Sequence, residues 1–126
     1  MSVTFSGGIT FTGGGFSFSE APSTIPTAGW YGVSSSPSAG YMSTLQRITY
    51  ATDTATASIR GQLSVQRTQL GAVSTLDYGW WGGGYLNPAS TSLVDRTTFA
   101  TDTATSSNRG NLSTARFALA GTSGIQ

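Results

Sequence analysis

The sequence predicts an all-β chain of two related units, each of four short strands, preceded by an extended N-terminal arm. Three observations carry that expectation. A block is written twice, RITYATDTATASIRGQLSVQRTQLG at 47–71 and RTTFATDTATSSNRGNLSTARFALA at 96–120, identical without a gap at 15 of 25 positions. Its period is 49 residues, and self-similarity at a fixed period of this size marks a repeat architecture. Apolar residues also recur in short period-two bursts divided by glycines, and no stretch of helical period is long enough to compete.

The arm, residues 1–28, holds three such bursts: Val3 and Phe5, Ile9 and Phe11, Phe16 and Phe18. Glycine clusters at Gly7–Gly8 and Gly13–Gly15 break them, and after Glu20 the segment APSTIPTA reads as a spacer with two prolines. Three bursts cannot build an independent core. A flexible tail is one reading, but a soluble linker has no need for Phe5, Phe11, Phe16 and Phe18. The favoured reading is therefore an arm that docks on another subunit or a larger assembly.

Unit one, 29–77, begins GWYG and unit two, 78–126, carries GWWGGG from 79. From this aromatic–glycine element to the following arginine is 18 residues in the first unit and 17 in the second. The extra residue falls in the intervening segments SSSPSAGYMST and YLNPASTS, which are surface connections where length drift is tolerated. LQRITY and LVDRTTF follow as strands, with Ile48 and Tyr50, or Thr97 and Phe99, on one face and Arg47 or Arg96 on the other. ATDTAT then reads as a tight turn in which Asp53 and Asp102 accept bonds from backbone amides two residues on. RGQLS or RGNLS brings Leu63 or Leu112, and the last strand, QRTQLGAV or ARFALAG, brings Leu70 or Leu119. Four strands in about fifty residues matches the accounting of a β-propeller blade. The glycines beside the tryptophans suit a strand near the axis, where backbones crowd.

At these residues the chain resembles the kelch family of β-propellers. The likeness rests on Trp80, Trp81, Gly82 and Gly83, on Phe99 and Tyr50 in the next strand, and on Leu112 with Arg116 and Leu63 with Arg67, and it covers residues 29–121. It departs at Trp30–Val33, which lack the double glycine, and at Ala57–Ser58 and Ser106–Ser107, where that family places a tryptophan. The chain also resembles, in more detail, the degenerate threonine-rich repeats of bacteriophage structural proteins, marine and cyanobacterial phages above all, through VDRTTFATDTAT, RGNLSTAR and the leader FSGGITFTGGG. That resemblance implies a virion location and a non-enzymatic structural role, as a capsid decoration or a component of the tail or tail fibre. Residues 1–28 would then contact other virion proteins.

Propellers close with four to eight blades, so two kelch-like four-stranded blades must complete a ring by oligomerisation. Three copies give six blades and four copies give eight; a homotrimer is the favoured expectation, a homotetramer the next. The six arginines, Arg47, Arg60 and Arg67 with Arg96, Arg109 and Arg116, are all the cations of the chain and recur at equivalent places with Asp53 and Asp102. They read as structural repeat positions. Arg67 and Arg116 are expected to bridge blades, since a guanidinium offers five fixed donors. Arg47 and Arg96 pair with Asp53 and Asp102 or face solvent, and Asp95 has no counterpart in unit one, where Gln46 stands.

Catalysis is not expected. Glycoside hydrolysis needs two carboxylates flanking one bond, whereas Asp53 and Asp102 follow the repeat symmetry, and the other acids are Glu20, Asp77 and Asp95. Absent cysteine and histidine remove thiolate nucleophiles, the usual general base and the commonest metal ligands, so no metal or cofactor is expected. With 9% charged residues and a net charge of +1, nothing favours nucleic acid or an anionic membrane as partner. No run of eighteen apolar residues occurs, and MSVTFSGG lacks the features of a secretory signal. The alternative function is a lectin-like propeller attaching to host or surface glycans, with Trp30, Tyr31, Tyr41, Trp80, Trp81 and Tyr85 as the rings that stack on sugar. Packing of those rings is the simpler use of them.

Overall fold

A computed structural model describes residues 8–12, 15–19, 26–32, 35, 36, 38, 40–52 and 54–123. These residues form an all-β fold of antiparallel sheets with two short 3-10 turns and no α-helix among them. In the arm, β1 (Gly8–Thr12) and β2 (Gly15–Ser19) pair with each other, Ile9 opposite Phe18 and Phe11 opposite Phe16. Residues 1–7, with the expected burst of Val3 and Phe5, residues 13, 14 and 20–25 of the arm, and Asp53 lie outside the described residues.

The first sheet has the order β3-β6-β7, from β3 (Ala28–Tyr31), β6 (Thr44–Thr49) and β7 (Ser58–Gln62); a two-residue pair, β4 (Ser35–Ser36) and β5 (Gly40–Tyr41), occupies the loop after β3. The second sheet is a four-stranded meander of β8 (Gly71–Ser74), β9 (Tyr78–Gly82), β10 (Leu93–Thr98) and β11 (Ser107–Asn111). β8 begins at the last residue of the first copy of the repeated block, yet it pairs with β9, Gly71 opposite Gly82 and Ser74 opposite Gly79. The second sheet therefore begins at 71, ahead of the GWWGGG element, and β9 is an internal strand of it. Residues 115–121, expected as a last strand, are not part of any strand.

The written repeat is a structural repeat. Trp30 pairs with Arg47 as Trp80 pairs with Arg96, and the ladders of β6 with β7 and of β10 with β11 each shift register at the equivalent place, between Thr44 and Gln46 and between Val94 and Asp95. Leu63 N donates to Ser43 O, and Leu112 N to Ser92 O, both at 2.7 Å. Arg67 N donates to Met42 O, and Arg116 N to Thr91 O, both at 3.3 Å. ATDTAT gives a 3-10 turn in each copy, Tyr50–Thr52 and Phe99–Thr101.

The two sheets pack face against face, and the core lies between them. Leu45 and Leu63 from the first sheet and its following turn meet Trp81 of β9, with Trp30 and Leu70 around them. Trp81 is 3% exposed, and burying a side chain of this size contributes about 3 kcal/mol. Gly32 makes room for it, since a Cβ there would stand 2.7 Å from the indole. The indole N–H donates to Thr97 Oγ1 at 2.9 Å, which shares a 2.7 Å bond with Ser106 Oγ. A buried indole N–H without such a partner would be destabilising.

Candidate functional site at the junction of the two sheets

The polar chemistry of the described residues concentrates at this junction. Arg67 follows β7 and runs into the second sheet with no exposed surface. Its Nε donates to Gly83 O at 2.9 Å, Nη2 to Trp81 O at 3.0 Å and Nη1 to Asp95 Oδ2 at 3.1 Å, with a longer bond to Val65 O. Planar donors in a fixed fork suit a site where two carbonyls and a carboxylate converge. Gly84 permits the approach, with φ at +114° and a would-be Cβ 3.2 Å from Arg67 Cδ.

Asp95 completes the clamp. Fully buried on β10, it accepts the Ser64 amide and the Ser64 hydroxyl, each at 2.8 Å, besides Arg67. Burial of a carboxylate is costly unless it is paired and hydrogen-bonded, and here it is both. Nearer the other end of the junction, Asp102 Oδ2 receives Arg47 Nη1 at 2.8 Å and Arg60 Nε at 3.0 Å. Asp102 thus binds two arginines of the other unit rather than the backbone amides two residues on, and Arg47 reaches across the junction to it. Ser106 N donates to Gln62 O, and Gly61 lets β7 come close, since a Cβ there would stand 2.6 Å from Asp102 O and nearer still to Ala104 O.

Among the described residues, the equivalents in unit two have no such partners. Arg109 and Arg116 are exposed, and neither side chain makes a hydrogen bond or ion pair among the described residues. Arg96 lies over the Tyr78 ring at 4.3 Å. Unit one, in turn, shows a changed set where unit two accepts the clamp. Tyr31, Ile48, Ala57 and Gln46 stand at the positions of Trp81, Thr97, Ser106 and Asp95. The hydroxyls that hold the indole N–H are replaced together with the indole.

The rings expected to stack on sugar are dispersed. Trp81 is buried and has no free face; Trp30 stacks on Phe99 at 4.8 Å; Trp80 lies on the far face of the second sheet, tilted against Tyr78. Tyr41 and Tyr85 meet edge to face, and Phe117 continues the row, 5.6 Å from Tyr85. Tyr31 is 59% exposed. Missed in the sequence were Asp95 and Ser64 as halves of one clamp; the signal was that Asp95 is an acid with no counterpart in the other unit. No group of three or more metal-ligating side chains occurs among the described residues. Comparison with protein-family models returns no match, and comparison with curated proteins returns none either.

Proposed function

We propose that this chain is a non-enzymatic structural protein of a bacteriophage virion, at the capsid surface or in the tail or its fibres, and that it supplies two blades of an oligomeric β-propeller. The observation that carries the reading is the junction itself. A whole arginine set of unit one is consumed in tying the first sheet to the second, and the same set recurs in unit two without an ion pair among the described residues. Two sheets packed face to face leave one outer face each, and rings of identical subunits cover such faces by head-to-tail contact. Asp95 and Asp102 are both engaged by arginines, which supports structural rather than catalytic use.

The virion location rests on the likeness of VDRTTFATDTAT, RGNLSTAR and FSGGITFTGGG to repeats of phage structural proteins, with residues 1–28 as the part that contacts other virion proteins. Immunogold labelling of phage particles purified from a producing culture tests it. Label is expected on the particles; the chain confined to the soluble lysate would overturn the assignment. A second reading, glycan attachment, is favoured by the row Tyr41, Tyr85 and Phe117, whose last ring is 49% exposed. Glycan-array binding that is lost on Tyr85→Ala with assembly intact would establish it; an array without binding would leave the structural role.

A further inference from the structure

The far face of the second sheet carries an apolar groove of about 320 Å³, lined by Trp80, Gly82, Val94, Leu112, Arg116 and Leu119 among others. Taken one repeat back, five of these are Trp30, Gly32, Leu45, Leu63 and Leu70. Those are the residues that hold Trp81 at the internal junction. The groove is the same receptor a second time, and among the described residues Trp80 is the one ring that lines it. What filled the first receptor was Trp81, and its counterpart in unit one is Tyr31, 59% exposed on the outer face of the first sheet.

The neighbouring contacts repeat in step. Trp30 stacks on Phe99 at the internal junction; Trp80 is the counterpart of Trp30, and Tyr50, 55% exposed, is the counterpart of Phe99. Tyr50 already rests on Gly29 as Phe99 rests on Gly79, its Oη 3.1 Å from where a Cβ would be. Arg116 is exposed at the rim of the groove in the place from which Arg67 reaches two carbonyls and Asp95. Gly110, the counterpart of the tightly packed Gly61, has nothing within 4 Å.

We propose that this groove is the docking surface for a second copy of the same chain, which inserts Tyr31 between Val94, Leu112 and Leu119 and presents Tyr31 O and the Gln46 side chain to Arg116. The inference rests on the reading that the chain assembles with itself, and it names the surface and the anchors. The contact is heterologous, one face of each copy against the opposite face of the next, so it propagates around a ring. One element differs from the internal junction: Gln46 replaces Asp95, so the joint between copies has an amide where the internal junction has a buried carboxylate. Tyrosine in a desolvated pocket and an arginine beside it are the residue types that dominate association energies.

Sedimentation velocity on the full chain tests this, with the wild type compared with Tyr31→Ala, Gln46→Asp, and Gln46→Asp combined with Arg116→Gln. Tyr31→Ala removes the anchor and is expected to raise the dissociation constant by about 30-fold or more. Gln46→Asp restores across the joint the pair that Arg67 and Asp95 make within the chain, and is expected to tighten assembly by about tenfold or more, a gain that Arg116→Gln abolishes. A gain cannot come from a variant that fails to fold. If the wild type assembles while Tyr31→Ala does not loosen it and Gln46→Asp does not tighten it, the chain joins through another surface and the inference is overturned with self-assembly intact. A wild type that stays monomeric at all concentrations overturns both.

Discussion

Arg67→Ala is the substitution for which the structure sets the largest consequence. It removes bonds of 2.9, 3.0 and 3.1 Å to Gly83 O, Trp81 O and Asp95 Oδ2 at once. Asp95 then keeps only Ser64 as partner, in a site without solvent exposure. Leaving one member of a buried ion pair without the other costs about 3–5 kcal/mol, and the two orphaned carbonyls act in the same direction. Taking about 3 kcal/mol as the floor, the loss is a large part of the roughly 5–15 kcal/mol that holds a domain folded. The control is built into the chain. Arg116→Ala makes the same change 49 residues on, at an exposed side chain, and is expected to alter monomer stability by no more than about 0.5 kcal/mol. Urea unfolding followed by circular dichroism, at a dilution where the chain is monomeric, compares them. With a slope of about 1–3 kcal/mol per molar urea, the Arg67 variant should unfold about 1–3 M earlier. Equal midpoints for the two variants, or a loss at Arg67 below about 1 kcal/mol, would refute the clamp as the main polar tie between the sheets.

Thr97→Val keeps the shape of a buried side chain but takes the acceptor from the Trp81 indole, so a loss of about 1–3 kcal/mol is expected in thermal unfolding. Gly61→Ala drives a methyl group into the Asp102 and Ala104 carbonyls, which are backbone and cannot swing aside; a destabilisation of about 1–3 kcal/mol should appear in the same melts. Asp102→Asn removes the charge that two partly exposed arginines share. Its effect should be near 1 kcal/mol in dilute buffer and shrink as sodium chloride is raised toward 1 M, whereas the cost of Arg67→Ala, buried throughout, should stay nearly constant with salt.

The repeat, the all-β class and the positions of the central strands were legible because period-two patterning and turn residues are local signals that the chain states twice. The membership of β8 was not. GAVS is too short to show a pattern, and the first copy of the repeated block ends at Gly71, so the repeat boundary conceals the pairing of this strand with β9 across the turn at 75–77. Arg67 as a bridge could be anticipated from its place in both copies; Asp95 was marked as an acid without a counterpart in unit one, but that mark alone does not say which arginine it binds. The aromatics misled for a physical reason. Trp81 and Tyr31 are equivalent in sequence and of one residue class, yet one is sealed between sheets and the other stands in solvent. Only the packing of the neighbouring sheet separates them. The coordinated change of Thr97, Ser106 and Asp95 to Ile48, Ala57 and Gln46 is written in the two copies, and it acquires meaning once these residues are placed around a single ring.

β8 also bears on how such a chain can be lengthened or divided. Since the strand that opens the second sheet is encoded at the tail of the first repeat copy, the duplicated stretch and the unit that folds are offset by one strand. A break at residue 77 would part β8 from β9 and leave each fragment with an unmatched strand edge. A break before residue 71 keeps the meander whole, and Ala120–Ser123, which start at the last residue of the second copy as Gly71–Ser74 start at the last residue of the first, mark the same boundary again. Recombination that adds or removes a period of 49 residues at these boundaries would preserve every strand pairing. The number of sheets per chain is then free to drift over evolutionary time while the faces at the two ends stay the same.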